Sequence, residues 1–247
     1  MDHPPILLED VGVSFDLQRS KKRVKRNMIG KVERLDENGK FWAIRHISLR
    51  VDSGESLAVI GANGAGKSTL LKTLAGIITP DEGKIEVRGT IATLLQLAAG
   101  FNDELNAEEN ILLVGEFLGI PSPQMQKKVQ GILDFADIGS FTDSPVSTYS
   151  TGMRARLGFA VATSVDPDVL LLDEVLSTGD AVFREKSRAR IVELMNKAHA
   201  IVYVTHDLKS AARFSTKAIE IEEGLIVAAG PTQLVIDGYL ERIGERE

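Results

Sequence analysis

The sequence predicts an α/β fold with buried parallel strands. Two short all-apolar runs, "VLLLDE" (residues 169–174) and "AIVYVTH" (200–206), are bounded by polar residues, which is typical of such strands. From Gly61 onward, strand-like runs alternate with helical stretches, as in consecutive βα units. The glycine-rich segment "GANGAGKST" joins the strand-like run "SLAVI" to a helix predicted from about Lys67 to Ala75.

Further strands flank this region. "ILLEDVGVSFDL" predicts the opening strand, and "WAIRHISLRVDSGESLAVIG" predicts two more with a turn at Ser53–Gly54. "KIEVRGTIATLLQL" is also strand-like, and "KAIEIEEGLIVAAG" predicts a final hairpin that turns at Glu223–Gly224. Residues 103–165 have a helical pattern with the breakers "GIPSP" and "DSPVS", which predicts a helical subdomain. A length of 247 residues fits one large domain, 1–247, or two closely packed lobes.

Composition excludes several classes of protein. No apolar stretch approaches the ~18 residues that cross a bilayer, and the start "MDHPPILLED" lacks the basic flank and apolar centre of a secretory signal. Without cysteine there is no disulfide or thiolate–metal framework. The net charge of −6 argues against a nucleic-acid partner, since such proteins more often carry a basic face.

Residues 16–40 form a polar insertion between two predicted strands. Its segment "RSKKRVKR" carries six positive charges and no acid, at Arg19, Lys21, Lys22, Arg23, Lys25 and Arg26. Two interpretations stay open: a solvated charged loop, or a contact with anionic lipid head groups at the membrane.

The segment of residues 61–69, here called the phosphate loop, predicts a nucleoside triphosphate site. Gly61, Gly64 and Gly66 leave room for backbone N–H groups to converge on phosphate oxygens, and the following helix adds its positive end. Lys67 would reach the outer phosphates, and Ser68 offers its hydroxyl to Mg²⁺. The spacing G-x-x-x-x-G-K-S between a strand and a helix is rarely a chance turn.

Other candidate residues follow predicted strands or open a helix. Asp173 would reach the Mg²⁺ and Glu174 would polarise a water, although such a pair is also a common helix cap. His206 is placed to touch the terminal phosphate, or is structural. Ser150 and Gly152 begin a predicted helix whose hydroxyl and N–H groups offer a second anion site, or merely cap it.

Taken together, these motifs resemble those of the nucleotide-binding subunits of ABC transporters over nearly the whole chain. "LLLDE" is similar to the Walker B strand, "YSTGM" to the signature, Gln96 to the Q-loop, Asp180 to the D-loop and His206 to the switch histidine. The phosphate loop resembles Walker A, formed by Gly61, Ala62, Asn63, Gly64, Ala65, Gly66, Lys67, Ser68 and Thr69. The resemblance implies a P-loop NTPase with a RecA-like core, an antiparallel β subdomain and a helical subdomain.

The resemblance also implies roles for these residues in binding ATP and Mg²⁺. Ser68, Gln96 and Asp173 would hold the Mg²⁺, and Glu174, His206 and Gln96 would be catalytic. Ser150, Gly152 and Asp180 would close the ATP site of a partner chain.

Two features of the family pattern carry open questions. The aromatic residue that stacks on adenine would be Phe15, with Trp42 and Phe41 as rivals. Thr151 and Met153 depart from the usual LSGGQ signature, and we expect the signature to keep its function.

Several sequence segments resemble those of the branch of the family that exports O-antigen, capsule and teichoic acid. They are "YSTGMRARLGFAVA", "DEVLSTGDAVFREK", "AAGFNDELNAEENI" and "FWAIRHISL". This resemblance implies a homodimer with two copies of a separate transmembrane permease and a lipid-linked glycan as substrate. The chain would lie at the cytoplasmic face of the inner membrane, attached through the permease. Ending at Glu247, it would lack the carbohydrate-binding domain of some members. Two alternative functions stay open: an ABC ATPase that acts on DNA or ribosomes, and the ATPase subunit of an importer or drug exporter.

Overall fold

The computed structural model describes residues 3–16, 34–35, 39–94, 100–173 and 180–244. The chain divides into two units. The first, here called the core unit, comprises Met1–Ile91, Asp168–Glu174 and His199–Glu247. The second, here called the helical unit, comprises Ala92–Pro167 and Val175–Ala198.

The core unit contains a three-stranded antiparallel sheet. Its strands are β1 (Ile6–Asp16), β2 (Lys40–Val51) and β4 (Glu82–Val87), in the order β2-β1-β4. The opening strand and the strand after the insertion are therefore confirmed. Phe15 pairs with Phe41 and Asp16 with Lys40, so the insertion is the connection between the two strands of this hairpin.

A second sheet has six strands in the order β5-β6-β7-β3-β8-β9. They are β3 (Glu55–Ile60), β5 (Ile91–Thr93), β6 (Val169–Leu172), β7 (Ala200–Val204), β8 (Lys217–Glu222) and β9 (Leu225–Pro231). The pairs β6–β7, β7–β3 and β3–β8 are parallel. Every residue of β6 and β7 is buried, which confirms the two predicted buried strands. Their apolar side chains form the centre of the core.

The final hairpin is confirmed at the predicted turn. β8 and β9 pair antiparallel, with Glu222 opposite Leu225. Glu223 and Gly224 both have positive φ, 50° and 83°, which is the backbone of a two-residue type I′ turn. This turn matters for the site because Gly224 contacts the phosphate loop.

Three helices of the core unit are described: α1 (Lys67–Leu74), α7 (Leu208–Phe214) and α8 (Thr232–Gly244). The predicted helix after the phosphate loop is thus confirmed as α1. Val235 and Ile236 of α8 pack with Ala58 and Ile60 of β3 in one buried cluster. This burial holds the C-terminal helix against the sheet.

An ion pair also holds α8 to the sheet. Arg242 of α8 pairs with Glu220 of β8, whose side chain is only 4% exposed. Replacing Arg242 by Ala should lower the free energy of unfolding by about 1–3 kcal/mol, because the buried carboxylate loses its cation. Urea denaturation at pH 7 measures this free energy in the wild type and in the variant.

The matched control is Glu241→Ala, an exposed neighbour on the same helix. Adding Glu220→Gln to Arg242→Ala should recover part of the lost stability, because no carboxylate then remains buried without its cation. Equal losses in the control and in Arg242→Ala would show that the pair contributes nothing specific.

The helical unit contains five described α-helices. They are α2 (Ala107–Phe117), α3 (Ser122–Gln126), α4 (Val129–Ala136), α5 (Thr151–Ala162) and α6 (Ala181–Lys197). Helices α2 to α5 lie within residues 103–165, and α6 adds a helix from farther along the chain. The buried faces of α2 to α5 contribute to one cluster that includes Ile111, Met125 and Leu157. Within the described ranges, no helix is long and apolar enough to cross a membrane.

Candidate nucleotide-binding site

The phosphate loop connects β3 to α1, and its glycines are required by the backbone. Gly61 and Gly66 have φ of 138° and 121°, a region that other residues rarely adopt. A Cβ on Gly61 would lie 2.1 Å from the Ile221 carbonyl oxygen. A Cβ on Gly66 would lie 2.6 Å from the Ala43 carbonyl oxygen. The loop therefore packs against backbone at both ends, and only glycine fits at these two positions.

Hydrogen bonds hold three carbonyl groups of the phosphate loop in place. The Lys67 ammonium donates to the Gly61 and Ala62 carbonyls at 2.7 and 2.9 Å. The Gly224 N–H, from the hairpin turn, donates to the Ala65 carbonyl at 2.8 Å. The first N–H groups of α1 have no carbonyl partner within the helix, and its first turn carries no acid. The loop and helix start therefore present donors that suit an anion.

These residues open onto a pocket of about 360 Å³ in the core unit. Its lining from the phosphate loop comprises Asn63, Gly64, Gly66, Lys67, Ser68 and Thr69. Asp173, Phe15 and Phe41 also line it. Residues from four separate parts of the sequence thus meet at the predicted phosphate site.

The sheet explains why Asp173 and His206 lie at this edge. Strands β6, β7 and β3 run parallel, with Leu172 opposite Tyr203 and Val59 opposite Val204. The carboxyl ends of parallel strands meet at the same edge, which is where such sheets bind ligands. The phosphate loop follows β3 and Asp173 follows β6.

His206 follows β7 after one buried residue. Its side chain is exposed, and Val204, two residues before it, lines the pocket. The next residue, Asp207, caps α7, and the pKa of its carboxyl is lowered mainly by the hydrogen bond from the Ser210 hydroxyl. The structure thus holds His206 between a strand end and a helix start.

The residues at the pocket fit a bound Mg²⁺. The Ser68 hydroxyl and the Asp173 carboxylate line the same pocket, and oxygen atoms are the ligands that Mg²⁺ prefers. Among the residues whose placement is described, no cluster of three or more His, Cys, Asp or Glu could hold a metal. Mg²⁺ is commonly held by one or two protein ligands together with substrate phosphates, so a pair suffices.

The aromatic candidates occupy different environments. Phe15 is 43% exposed, and both Phe15 and Phe41 line the pocket from paired positions on β1 and β2. Trp42 is only 8% exposed and does not line the pocket. Its ring lies 4.3 Å from the Arg45 guanidinium. Trp42 is thus a buried residue of the antiparallel sheet.

Ser150 begins the predicted helix in the helical unit, which is confirmed as α5. Its hydroxyl oxygen accepts a hydrogen bond from the Met153 N–H at 3.2 Å. Gly152 is exposed, and a Cβ there would meet only the Ser150 hydroxyl, 3.9 Å away. The start of α5 is therefore an open, uncrowded surface of backbone donors.

Asp180 begins α6 and is tied to the same helix α5. Its carboxylate accepts from the Phe183 N–H at 2.9 Å and pairs with Arg156 of α5. The pKa of Asp180 is lowered, first by the Phe183 hydrogen bond and also by Arg156. The Arg156 guanidinium lies 5.2 Å from the Phe183 ring centroid as well. Sequence reasoning missed Arg156, because no spacing marks a partner 24 residues away.

Three predicted elements lie outside the described residues. These are Gln96, Glu174 and the basic run of residues 19–26. The assignments of these residues, and the roles assigned to the residues at the pocket, stay predictions.

Comparison with known proteins identifies the family. The sequence profile of the family described as "ABC transporter" matches residues 44–177. The O-antigen export system ATP-binding protein of Myxococcus xanthus is 39% identical over 249 residues, covering 98% of this chain and 57% of that protein. The corresponding protein of Klebsiella pneumoniae is 39% identical over 200 residues, 81% of each chain. The teichoic acids export ATP-binding protein of Bacillus cereus is 40% identical over 207 residues, 83% of this chain and 38% of that protein.

Solved structures show the same fold at lower identity. An ATP-binding subunit of an ABC transporter has a TM-score of 0.69 at 21% identity, covering 97% of this chain and 93% of that chain. A dimeric ATP-binding cassette bound to ADP and Pi has a TM-score of 0.68 at 20% identity, covering 92% of this chain and 98% of that chain. The predicted fold class is confirmed. Since the profile spans more than half of the sequence and the Klebsiella relative matches 81% of it at 39% identity, the chain belongs to the ABC transporter family.

Proposed function

We propose that this chain is the ATP-binding and ATP-hydrolysing subunit of an ABC transporter that exports a lipid-linked polysaccharide. The observation that carries the proposal is the pocket itself. It brings the phosphate loop, which includes Ser68, together with Asp173 at the carboxyl edge of a parallel sheet. This combination suits a magnesium-bound triphosphate and few other ligands.

Within this site, the residues take distinct roles in hydrolysis. Lys67 and the N–H groups of the phosphate loop bind the outer phosphates. Ser68 and Asp173, together with Gln96, hold Mg²⁺, which when bound neutralises charge that develops on the phosphates. Glu174 accepts the proton of the attacking water, and His206 stabilises charge on the terminal phosphate.

The adenine ring packs on Phe15. Two observations support this choice over Trp42: Phe15 lines the pocket, and Trp42 is buried away from it. Phe41 also lines the pocket, opposite Phe15, so it forms the second aromatic surface on this side of the nucleotide.

Two chains act as a head-to-tail homodimer, each a single nucleotide-binding domain, 1–247, with a helical subdomain over 103–165. The chain carries one phosphate loop and one signature, and these lie in different units. Two equivalent sites arise when Ser150, Gly152 and Asp180 of one chain close the ATP bound by the other. The open start of α5 at Ser150 and Gly152 supports this role.

The names of the relatives support the proposed substrate class. Proteins of 39% and 40% identity are named for the export of O-antigen and of teichoic acids, both cell-surface glycans. The chain therefore works at the cytoplasmic face of the inner membrane with two copies of a permease. It spans 57% of the Myxococcus relative and 38% of the Bacillus relative, and so accounts for the ATPase part of those longer proteins.

ATPase activity of the purified transporter tests the substrate class. The chain is co-purified with its membrane partner, and lipid-linked glycans are added to the complex in detergent. We expect the cognate lipid-linked glycan to stimulate hydrolysis several-fold, whereas its lipid carrier without sugar does not. Stimulation by a substrate-loaded periplasmic binding protein instead of a glycan would assign the chain to an importer.

A further inference from the structure

Arg34 joins the insertion to the phosphate loop. The backbone of Leu35 forms a bridge with Phe41 at the start of β2, which brings the neighbouring Arg34 to this aromatic ring. The Arg34 guanidinium lies 5.8 Å from the Phe41 ring centroid. Its Nη1 donates to the Gly64 carbonyl oxygen at 3.2 Å, and Arg34 lines the same pocket as Lys67. An arginine far from the glycine-rich motif thus reaches the centre of that motif.

The contact geometry suits arginine in particular. A guanidinium carries several N–H donors on one planar group, so it can lie beside an aromatic ring and donate a hydrogen bond at the same time. Burial lowers the pKa of Arg34 and the charge of Glu223 opposes this effect. Because an arginine does not lose its proton in proteins, the group remains a cation at neutral pH.

The loop gains a defined backbone conformation from this contact. Gly64 has a φ of 78°, and its carbonyl is held by Arg34, as the Gly61 and Ala65 carbonyls are held by Lys67 and Gly224. A carbonyl that rotated toward bound phosphate would set one negative group against another. A fixed donor at Gly64 prevents this rotation.

We infer that Arg34 is a positioning residue of the nucleotide site, which holds the Gly64 carbonyl and adds a second fixed positive charge beside Lys67. The inference rests on the proposed binding of ATP. The effect of Arg34 depends on the number of phosphates in the nucleotide. Its contribution to affinity grows with that number, because both the loop conformation and the positive charge act on the phosphates. Phe41 supplies the surface that keeps the guanidinium in place.

Nucleotide affinities of Arg34→Gln and Arg34→Lys in the full chain test this inference. Calorimetry gives Kd for ATP and ADP, and competition with a fluorescent nucleotide gives Kd for AMP. Arg34→Gln should weaken ATP binding about tenfold, ADP binding by a smaller factor and AMP binding less than about twofold. Arg34→Lys should recover part of the loss, because it keeps the charge but not the planar group of N–H donors.

The matched control is Arg50→Gln on the same hairpin. Arg50 pairs with Asp52 and does not line the pocket, so this variant should bind all three nucleotides as the wild type does. Thermal unfolding midpoints verify that each variant is folded. An equal loss for all three nucleotides, or no loss in Arg34→Gln, overturns the inference while ATP binding by the wild type stands. Absence of ATP binding by the wild type overturns both the inference and the proposed function.

Discussion

Replacing Glu174 by glutamine should slow ATP hydrolysis by about 10² to 10⁴, because an amide cannot accept the proton of the attacking water. Glutamine keeps the size of the side chain, so ATP should still bind. The preceding residue, Asp173, lines the pocket with Ser68. Phosphate release at saturating ATP measures the rate, and size-exclusion chromatography in ATP should show a lasting dimer.

The control for this variant is Glu185→Gln, an exposed glutamate of α6 that should hydrolyse ATP at the normal rate. Hydrolysis by Glu174→Gln at the wild-type rate would remove Glu174 as the general base. A variant that binds ATP, does not hydrolyse it and still stays monomeric would contradict the head-to-tail dimer.

Lys67→Ala should weaken ATP binding by about 1.5 to 3 kcal/mol, which is about 10- to 150-fold in Kd. Two losses combine in this variant. The outer phosphates lose a charged donor, and the Gly61 and Ala62 carbonyls lose the ammonium that holds them. Lys67 therefore both holds the shape of the phosphate loop and binds the negative charge of its ligand. Calorimetric titration with ATP measures the affinity.

Lys72→Ala provides the comparison, since Lys72 lies in the last turn of the same helix and does not line the pocket. Its ATP affinity should match that of the wild type. Normal affinity in Lys67→Ala would exclude Lys67 from phosphate binding, and equal losses in both variants would indicate damage to α1 instead.

Local chemistry explains what could be predicted from the sequence. The glycines of the phosphate loop, the turn at Glu223–Gly224 and the start of α5 at Ser150 each depend on a few neighbouring residues. Positive φ, hairpin turns and helix caps are set at this range, so the pattern of residue types is sufficient. The buried strands β6 and β7 were predictable for a similar reason, since continuous apolar runs require burial on both faces.

The contacts between distant segments were not predictable. Irregularities in the pairing of β1 and β2 change the register between Leu8 and Ser14. They leave Phe15 opposite Phe41 at the pocket, while Trp42 is buried. A shift of one residue in a strand reverses which side chains face a site, and no periodicity in the sequence records such a shift.

The sequence by itself therefore determined the main strands, the phosphate loop with the helix after it, and the residue types that suit a magnesium-bound triphosphate. Only the tertiary structure decided that Phe15 and Phe41 line the pocket, that Arg34 holds the Gly64 carbonyl and that Arg156 pairs with Asp180. The physical reason is the range of the interactions. Backbone conformation and apolar periodicity act between neighbours, whereas hydrogen bonds and ion pairs form between whichever groups the packed fold brings together.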